Sequence, residues 1–351
     1  MRPPGPPRPL PSRPRRCCPA ASGSAPWTVG DPRRRGTRPP PGGPGGLAAQ
    51  SVALKKEERV ARIRTWNQGG IRAPHKPLLL LYALGRLQQQ GTSTPVAFTE
   101  AGEPLDRLLT DFGPPHKTSP AYPFRRLAND DGLWVITTAA GHGSPDDTKA
   151  SLCASDAKGE LAPEFAAAVL ADPALLVAIA RDLLEANFPE TYHADIAGQV
   201  GLDLMPEVPG GATPTAPKRR RSPEFRDQVL MAYELRCAMC GFDGRLGSES
   251  VGLEAAHVRW FNIGGPDTVA NGLCLCALHY KLLDEGALGI TPEHTLAVSA
   301  RFVGVGQFAE ELVQSLAGRE LAEPQGGMPT VADAHISWHT TQVFRDPARA
   351  A

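Results

Sequence analysis

Net charge is the first thing this 351-residue sequence lacks: 37 Lys and Arg balance 37 Asp and Glu, so the chain as a whole does not declare itself a polyanion binder. Any affinity for nucleic acid must come from local patches, and two are visible. Residues 1–50 hold nine Arg against a single acid, Asp31, and Lys218-Arg219-Arg220-Arg221 forms a second basic run. Also missing is an apolar stretch near the ~20 residues that a membrane span requires, so no membrane partner is expected. No apolar segment follows the N-terminal arginines, as a secretory signal would need, and a cytoplasmic location is expected. There is no internal repeat. Cysteine is sparse and unevenly placed: Cys17 and Cys18 adjoin, Cys153 stands alone, and Cys237, Cys240, Cys274 and Cys276 cluster. In a cytosolic chain such a cluster reads as metal ligands rather than disulfides, and the solitary Cys153 as a packing residue.

The length suffices for two domains, each with its own core. Residues 1–50 carry fourteen Pro and eight Gly with almost no aliphatic side chains. They cannot bury enough apolar surface to offset ordering entropy, so a disordered tail is expected. Residues 54–66 read as helical, Ala73-Pro74-His75-Lys76-Pro77 as a break, and Leu78 to Gln90 as a buried helix stopped by Gly91. Pro95 to Phe98 reads as a short strand, and Glu103 to Phe112 as a helix ended by Gly113-Pro114-Pro115. From Tyr122 to Ile136, aromatic and β-branched residues flank a turn at Asp130-Asp131-Gly132, with Phe124 and Trp134 expected in the core. Phe165–Leu170 and Ala174–Asn187 form two helices split at Asp172-Pro173, because proline disfavours helix in the residue before it. Residues 206–221 are a linker by composition. The division is therefore a tail at 1–50, a recognition domain at 51–205, the linker, and a module at 222–351. The fold class is α+β, with a mixed, mainly helical N-terminal domain.

Chemistry concentrates in the last third. Cys237-x-x-Cys240 and Cys276-x-x-His279 are two half-sites at the spacing of a structural zinc centre. Together they offer a Cys3His tetrahedral set. Between them stand Leu253-Glu254-Ala255-Ala256-His257-Val258, Gly264-Gly265 and Asn271-Gly272-Leu273.

This succession resembles the HNH (ββα-metal) nuclease family. The resemblance implies that His257, on a strand, is the general base that activates water against a phosphodiester. It implies that Asn271, on the connecting loop, orients that histidine or a metal. A third residue on the following helix would ligate a catalytic divalent cation such as Mg2+ or Mn2+. Members of the family carry paired histidines there, whereas this chain reads His279-Tyr280, which puts Tyr280 in the catalytic-metal position. A neutral phenol, with its pKa of ~10, is a poor ligand. A second register is open: Cys274 and Cys276 share a face if they lie on a strand, and would supply both distal zinc ligands while leaving His279 for the catalytic metal. Lys281 to Leu288 match the helix and strand that follow the motif. His335 to His339, followed by Val343-Phe344-Arg345, is expected to be an amphipathic helix packed on the module.

Three further segments are Ala73-Pro74-His75-Lys76-Pro77-Leu78-Leu79-Leu80, Asp111-Phe112-Gly113-Pro114-Pro115, and Tyr122-Pro123-Phe124-Arg125-Arg126-Leu127 with Asn129 to Trp134. They resemble, over about residues 55–205, the sulfur-binding domain of phosphorothioate-dependent type IV restriction endonucleases. Sulfur in place of a phosphate oxygen is larger and more weakly hydrated, so a shallow apolar pocket prefers it. The resemblance implies that Tyr122 and Pro123 offer the faces of such a pocket. Arg125, Arg126, His75, Lys76 and Arg72 would contact flanking phosphates or guanine edges. Arg125 departs from the family's usual Trp or His at that position. The expected partner is double-stranded, phosphorothioated DNA, with a second copy of the chain also considered. The expected activity is modification-dependent restriction. Two rivals stand beside it: a non-cleaving reader with a degenerate module, and an HNH nuclease reading another modification.

Overall fold

The computed structural model describes residues 71–130, 132–205 and 222–350. The expected tail at 1–50, the helix at 54–66 and the linker at 206–221 lie outside these residues.

Helix α1 (His75–Gln90) opens the described chain and ends at Gly91, whose φ of 67° closes it in the left-handed conformation that glycine adopts without a Cβ clash. The expected break at 73–77 is shorter than the sequence suggests. Pro77 sits in the first turn, where its missing N–H would have found no intrahelical partner anyway. Strand β1 (Val96–Ala97) leads into α2 (Phe98–Phe112). That helix begins five residues before the expected Glu103 and carries Pro104 inside it. Phe98, Ala101, Leu105, Leu108 and Phe112 recur at helical spacing and all bury, and this packing outweighs the hydrogen bond that proline removes.

The Tyr122 region forms a short helix, α3 (Ala121–Arg126). Phe124 and Trp134 are core residues, as expected, stacked edge-to-face with centroids 5.5 Å apart. Strands β2 (Trp134–Thr137) and β3 (Lys158–Leu161) flank α4 (Lys149–Ala154), and β3 is the centre of an antiparallel sheet ordered β1-β3-β2. Cys153, expected to pack, is exposed on α4. The split helices appear as α5 (Pro163–Ala171) and α6 (Pro173–Asn187), with the Asp172 side chain capping α6 by accepting from the Leu175 N–H. Helix α7 (Glu190–Val200) completes this part.

The C-terminal part starts with α8 (Pro223–Ala232) and the small hairpin β4 (Arg245–Leu246) and β5 (Glu249–Ser250). Strands β6 (Leu253–His257) and β7 (Gly272–Cys276) pair antiparallel, His257 opposite Gly272 and Leu253 opposite Cys276, and α9 (Ala277–Asp284) follows directly. This is the ββα order the resemblance implied. A hairpin of β8 (Leu288–Ile290) and β9 (Leu296–Val298), then α10 (Gln307–Leu312) and α11 (Asp333–Gln342), close the chain.

Two hydrophobic clusters form, one drawn mainly from residues 78–202 and one from residues 225–336. Trp260, Trp338 and Val343 belong to the first cluster although they come from the C-terminal part. Helix α11 therefore does more than pack on its own module: Ile336 joins one core and Trp338 the other. Among the described residues, no helix is long and apolar enough to cross a membrane.

Candidate functional site

The zinc half-sites meet because the knuckle is tied to β7. The Ala238 N–H donates to the Cys274 carbonyl at 2.8 Å, which sets Cys237 beside the end of the strand and Cys276. Within the knuckle the Cys237 N–H donates to Phe242 and the Gly241 N–H returns to Cys237, both at 2.8 Å. The ligand atoms of Cys237, Cys240, Cys276 and His279 all lie within 4.8 Å of one another. His279 Nδ1 is 3.4 Å from Cys237 Sγ and 3.2 Å from Cys276 Sγ, while its Nε2 points at the Leu312 carbonyl 2.8 Å away.

Three soft sulfurs and an imidazole whose outer nitrogen is held by a carbonyl are a donor set that fits zinc. The electrostatics agree. Hydrogen bonds from Cys240 and Cys276 drive the Cys237 thiol strongly toward thiolate, and the same contacts push Cys240 the other way. Three thiols this close cannot all become thiolates unless a cation joins them. Burial opposes charge on His279, but its contacts with Cys237, Cys276 and Leu312 prevail and raise it to about 10.

Cys274 is not in this group. Its side chain is fully buried among the C-terminal core residues, and burial raises its thiol to about 12. The second register, with Cys274 as a zinc ligand and His279 released, is therefore corrected.

His257 ends β6, 4% exposed, with Nε2 2.7 Å from Asp267 Oδ1. The Phe225 ring stacks on it at 4.0 Å and 19°. That stack requires glycine across the hairpin, since a Cβ on Gly272 would stand 2.4 Å from Val229 and 3.1 Å from Phe225. Asp267 Oδ2 also accepts the Ser222 N–H at 2.9 Å, so one carboxylate joins His257 to the start of the helix that supplies Phe225. Asp267 was not singled out in the sequence. Its only signal is its place just after Gly264-Gly265-Pro266, inside the segment between His257 and Asn271.

Asn271 is fully buried, and its amide is spent on the loop: Nδ2 donates to the Arg259 and Pro266 carbonyls at 2.9 and 3.0 Å, and Oδ1 accepts the Arg259 N–H at 2.8 Å. It shapes the segment between the strands. Gly265 has the same duty, because a Cβ there would meet the Arg259 carbonyl at 1.8 Å. Tyr280 is half-buried on α9 against the C-terminal core. Among the described residues, no second group of three or more His, Cys, Asp or Glu ligand atoms gathers.

The proposed DNA contacts spread over different environments. Tyr122 is exposed on α3, with His75 edge-on at 6.0 Å and the Arg126 guanidinium 5.8 Å from its ring. Pro123 is buried and presents no open face, because its position in the first turn of α3 points it inward. Arg126 is exposed and pairs with Asp147 at 2.7 Å. Arg125 holds the 144–145 loop, donating from Nε to the Pro145 carbonyl and from a terminal nitrogen to Ser144. Lys76 pairs with Asp130 at 2.5 Å. His75 Nε2 lies 2.8 Å from Thr118 Oγ1, and burial, with the nearby Arg72 charge, lowers it to about 4. At neutral pH it offers a neutral imidazole, not a cation. Arg72 departs from the expected surface contact: it is 2% exposed and stacked on Trp260.

Comparison with known proteins matches residues 55–205 to the ScoMcrA-like DNA sulfur-binding domain and residues 237–291 to the HNH endonuclease family. Among solved structures, the sulfur-binding domain of ScoMcrA complexed with phosphorothioated DNA is 22% identical, covering 42% of this chain and 94% of that one, with a TM-score of 0.36. The sulfur-binding domain of SprMcrA, also complexed with phosphorothioated DNA, is 21% identical over 44% of this chain and 96% of that one, TM-score 0.38. The type IV phosphorothioation-dependent restriction endonuclease ScoMcrA itself is 22% identical over 41% of this chain and 32% of that one, TM-score 0.35. No curated protein matches the chain.

Proposed function

We propose that this chain, which joins a ScoMcrA-like DNA sulfur-binding domain to an HNH endonuclease domain, is a modification-dependent restriction endonuclease for phosphorothioated DNA. The observation that carries the reading is that both matches fall on one chain, and that the second contains a histidine bonded to a carboxylate at the end of a ββα strand. In this reading His257 takes a proton from the water whose oxygen bonds to phosphorus, while the bond to the leaving oxygen breaks and that oxygen is protonated. Asp267 sets the tautomer and stabilises the imidazolium so formed. HNH nucleases use divalent metals. Among the described residues, no second set of three or more His, Cys, Asp or Glu ligands gathers to hold one. Zinc at Cys237, Cys240, Cys276 and His279 would hold the fold around β7 and α9 rather than take part in hydrolysis.

On the reading side, the exposed Tyr122 ring supports a weakly hydrated pocket wall, with Arg126 placed for a neighbouring phosphate. The test is a gel shift with matched duplexes that differ by one sulfur. Wild type is expected to favour the sulfur-bearing duplex, and Tyr122→Ala to lose roughly tenfold of that preference, the equivalent of about 1.4 kcal/mol of aromatic contact. Equal wild-type affinity for both duplexes defeats the reading.

Tyr280 favours a second reading, a binder of modified DNA that does not cut, because a phenol stands where the family places a ligand. Tyr280→His is expected to raise cleavage measurably with Mg2+ or Mn2+ if the nuclease reading is right. No cutting by either protein with any divalent ion, alongside tight sulfur-dependent binding, selects the second.

A further inference from the structure

A buried cation joins the two parts of the molecule, and its neighbours run from the DNA-reading residues to the catalytic segment. Arg72 lies three residues before His75. Its backbone N–H donates to Gln342 Oε1 and its guanidinium to the Gln342 carbonyl, both at 2.9 Å, and a second guanidinium nitrogen donates to the Phe112 carbonyl at 2.8 Å. The guanidinium carbon stands 3.9 Å over the Trp260 ring. From the C-terminal part, Arg345 donates to the carbonyls of Asp111 and Gly113 at 2.9 and 3.2 Å. Three consecutive carbonyls at the end of α2, where a helix leaves its acceptors unsatisfied and partly negative, are thus gripped by two guanidinium groups.

Each end of this clamp leads to a site. Beyond Gly113 the chain runs to Thr118, which holds His75 beside Tyr122. Trp260 follows Arg259, whose N–H and carbonyl are both bonded by Asn271, and His257 is two residues further back. The Trp260 ring meets Tyr192 and Trp338 edge-on at 5.7 and 5.8 Å. Secondary contacts brace the same interface, with Thr191 and Tyr192 both donating to Asp284 and Lys281 pairing with Asp195. An apolar residue would fill this place at less desolvation cost than an arginine. What the planar, multiply bonded guanidinium adds is a fixed angle.

We infer that Arg72 is a positioning residue that sets the orientation of the DNA-reading face relative to the His257 segment, so that hydrolysis falls at a set distance from the recognised phosphate. The consequence for cleavage rests on the nuclease reading; the orientation does not. The test uses the full, zinc-loaded chain with Cys17→Ser and Cys18→Ser. Spin labels go on the exposed Cys153 and on Val305→Cys, a fully exposed position. Pulsed electron resonance is expected to give one narrow distance distribution, broadened by Arg72→Met and by Arg345→Met. Cuts are then mapped on an end-labelled duplex carrying one phosphorothioate. Both variants should bind it with unchanged affinity, cut more slowly by about tenfold, and spread the cuts over more positions. A merely structural role would change yield or melting but leave the cut positions alone. If Arg72→Met fails to fold, the half-buried Arg345→Met carries the test. A broad distribution in the wild type, or an unchanged one in the folded variants, overturns the inference. A narrow wild-type distribution that the variants broaden, without cleavage of any DNA, retires the nuclease reading and leaves the positioning role supported.

Discussion

Cys237→Ser in the full chain is expected to abolish zinc binding and unfold the C-terminal part, the largest effect of any single substitution considered. Wild type should carry about one zinc per chain by elemental analysis, and the variant almost none. The physical reason is that the four ligands come from two separate segments, a knuckle and a strand-helix junction, which one ion would close into a single unit. Structural zinc contributes about 10–16 kcal/mol in small zinc modules, comparable to or larger than the whole stability of an ordinary domain. A chelator should reproduce the unfolding, and the loss should be seen in the near-ultraviolet signal of the aromatic residues. Cys274→Ala is the control. It removes a small buried group, costs about 1–2 kcal/mol, and should leave the zinc in place. Well-folded wild-type protein free of zinc would contradict the assignment.

His257→Ala should reduce cleavage by roughly 10²–10⁴-fold with DNA affinity unchanged, since a general base acts mainly in the transition state. Asp267→Asn separates this from simple loss of a buried ring. The amide keeps the shape and an acceptor for the Ser222 N–H, but it no longer stabilises a charged imidazole. A loss of roughly 10–100-fold is expected, the usual cost of removing a group that orients a catalytic histidine. Single-turnover cleavage of a sulfur-bearing duplex, alongside a gel shift, reads both quantities. Full activity in His257→Ala would remove it from the mechanism.

Several features of this protein are local and were legible before the fold. The four candidate zinc ligands sit at spacings of three along the chain, which one turn or one helical start can satisfy, so the cluster of Cys237, Cys240, Cys276 and His279 could be expected from the sequence. The stop of α1 at Gly91 and the division of α5 from α6 at Asp172-Pro173 are backbone properties of the residues themselves. Long-range choices were not legible. Cys274 and Cys276 look alike as ligands along the strand they share, and only the packing around it seals Cys274 in the core and brings Cys276 beside Cys237, Cys240 and His279. The carboxylate that serves His257 is one of many, and only the path of the loop selects Asp267. Arg72, three residues before His75 and four before Lys76, has the sequence setting of a phosphate contact. Its partner Gln342 lies 270 residues along the chain, and no local pattern encodes that meeting. Spacing and backbone preference act over a few residues and are written in the order of the amino acids. Which side chains are sealed from water depends on how distant segments pack, and that alone decided that this arginine is buried between distant parts of the chain.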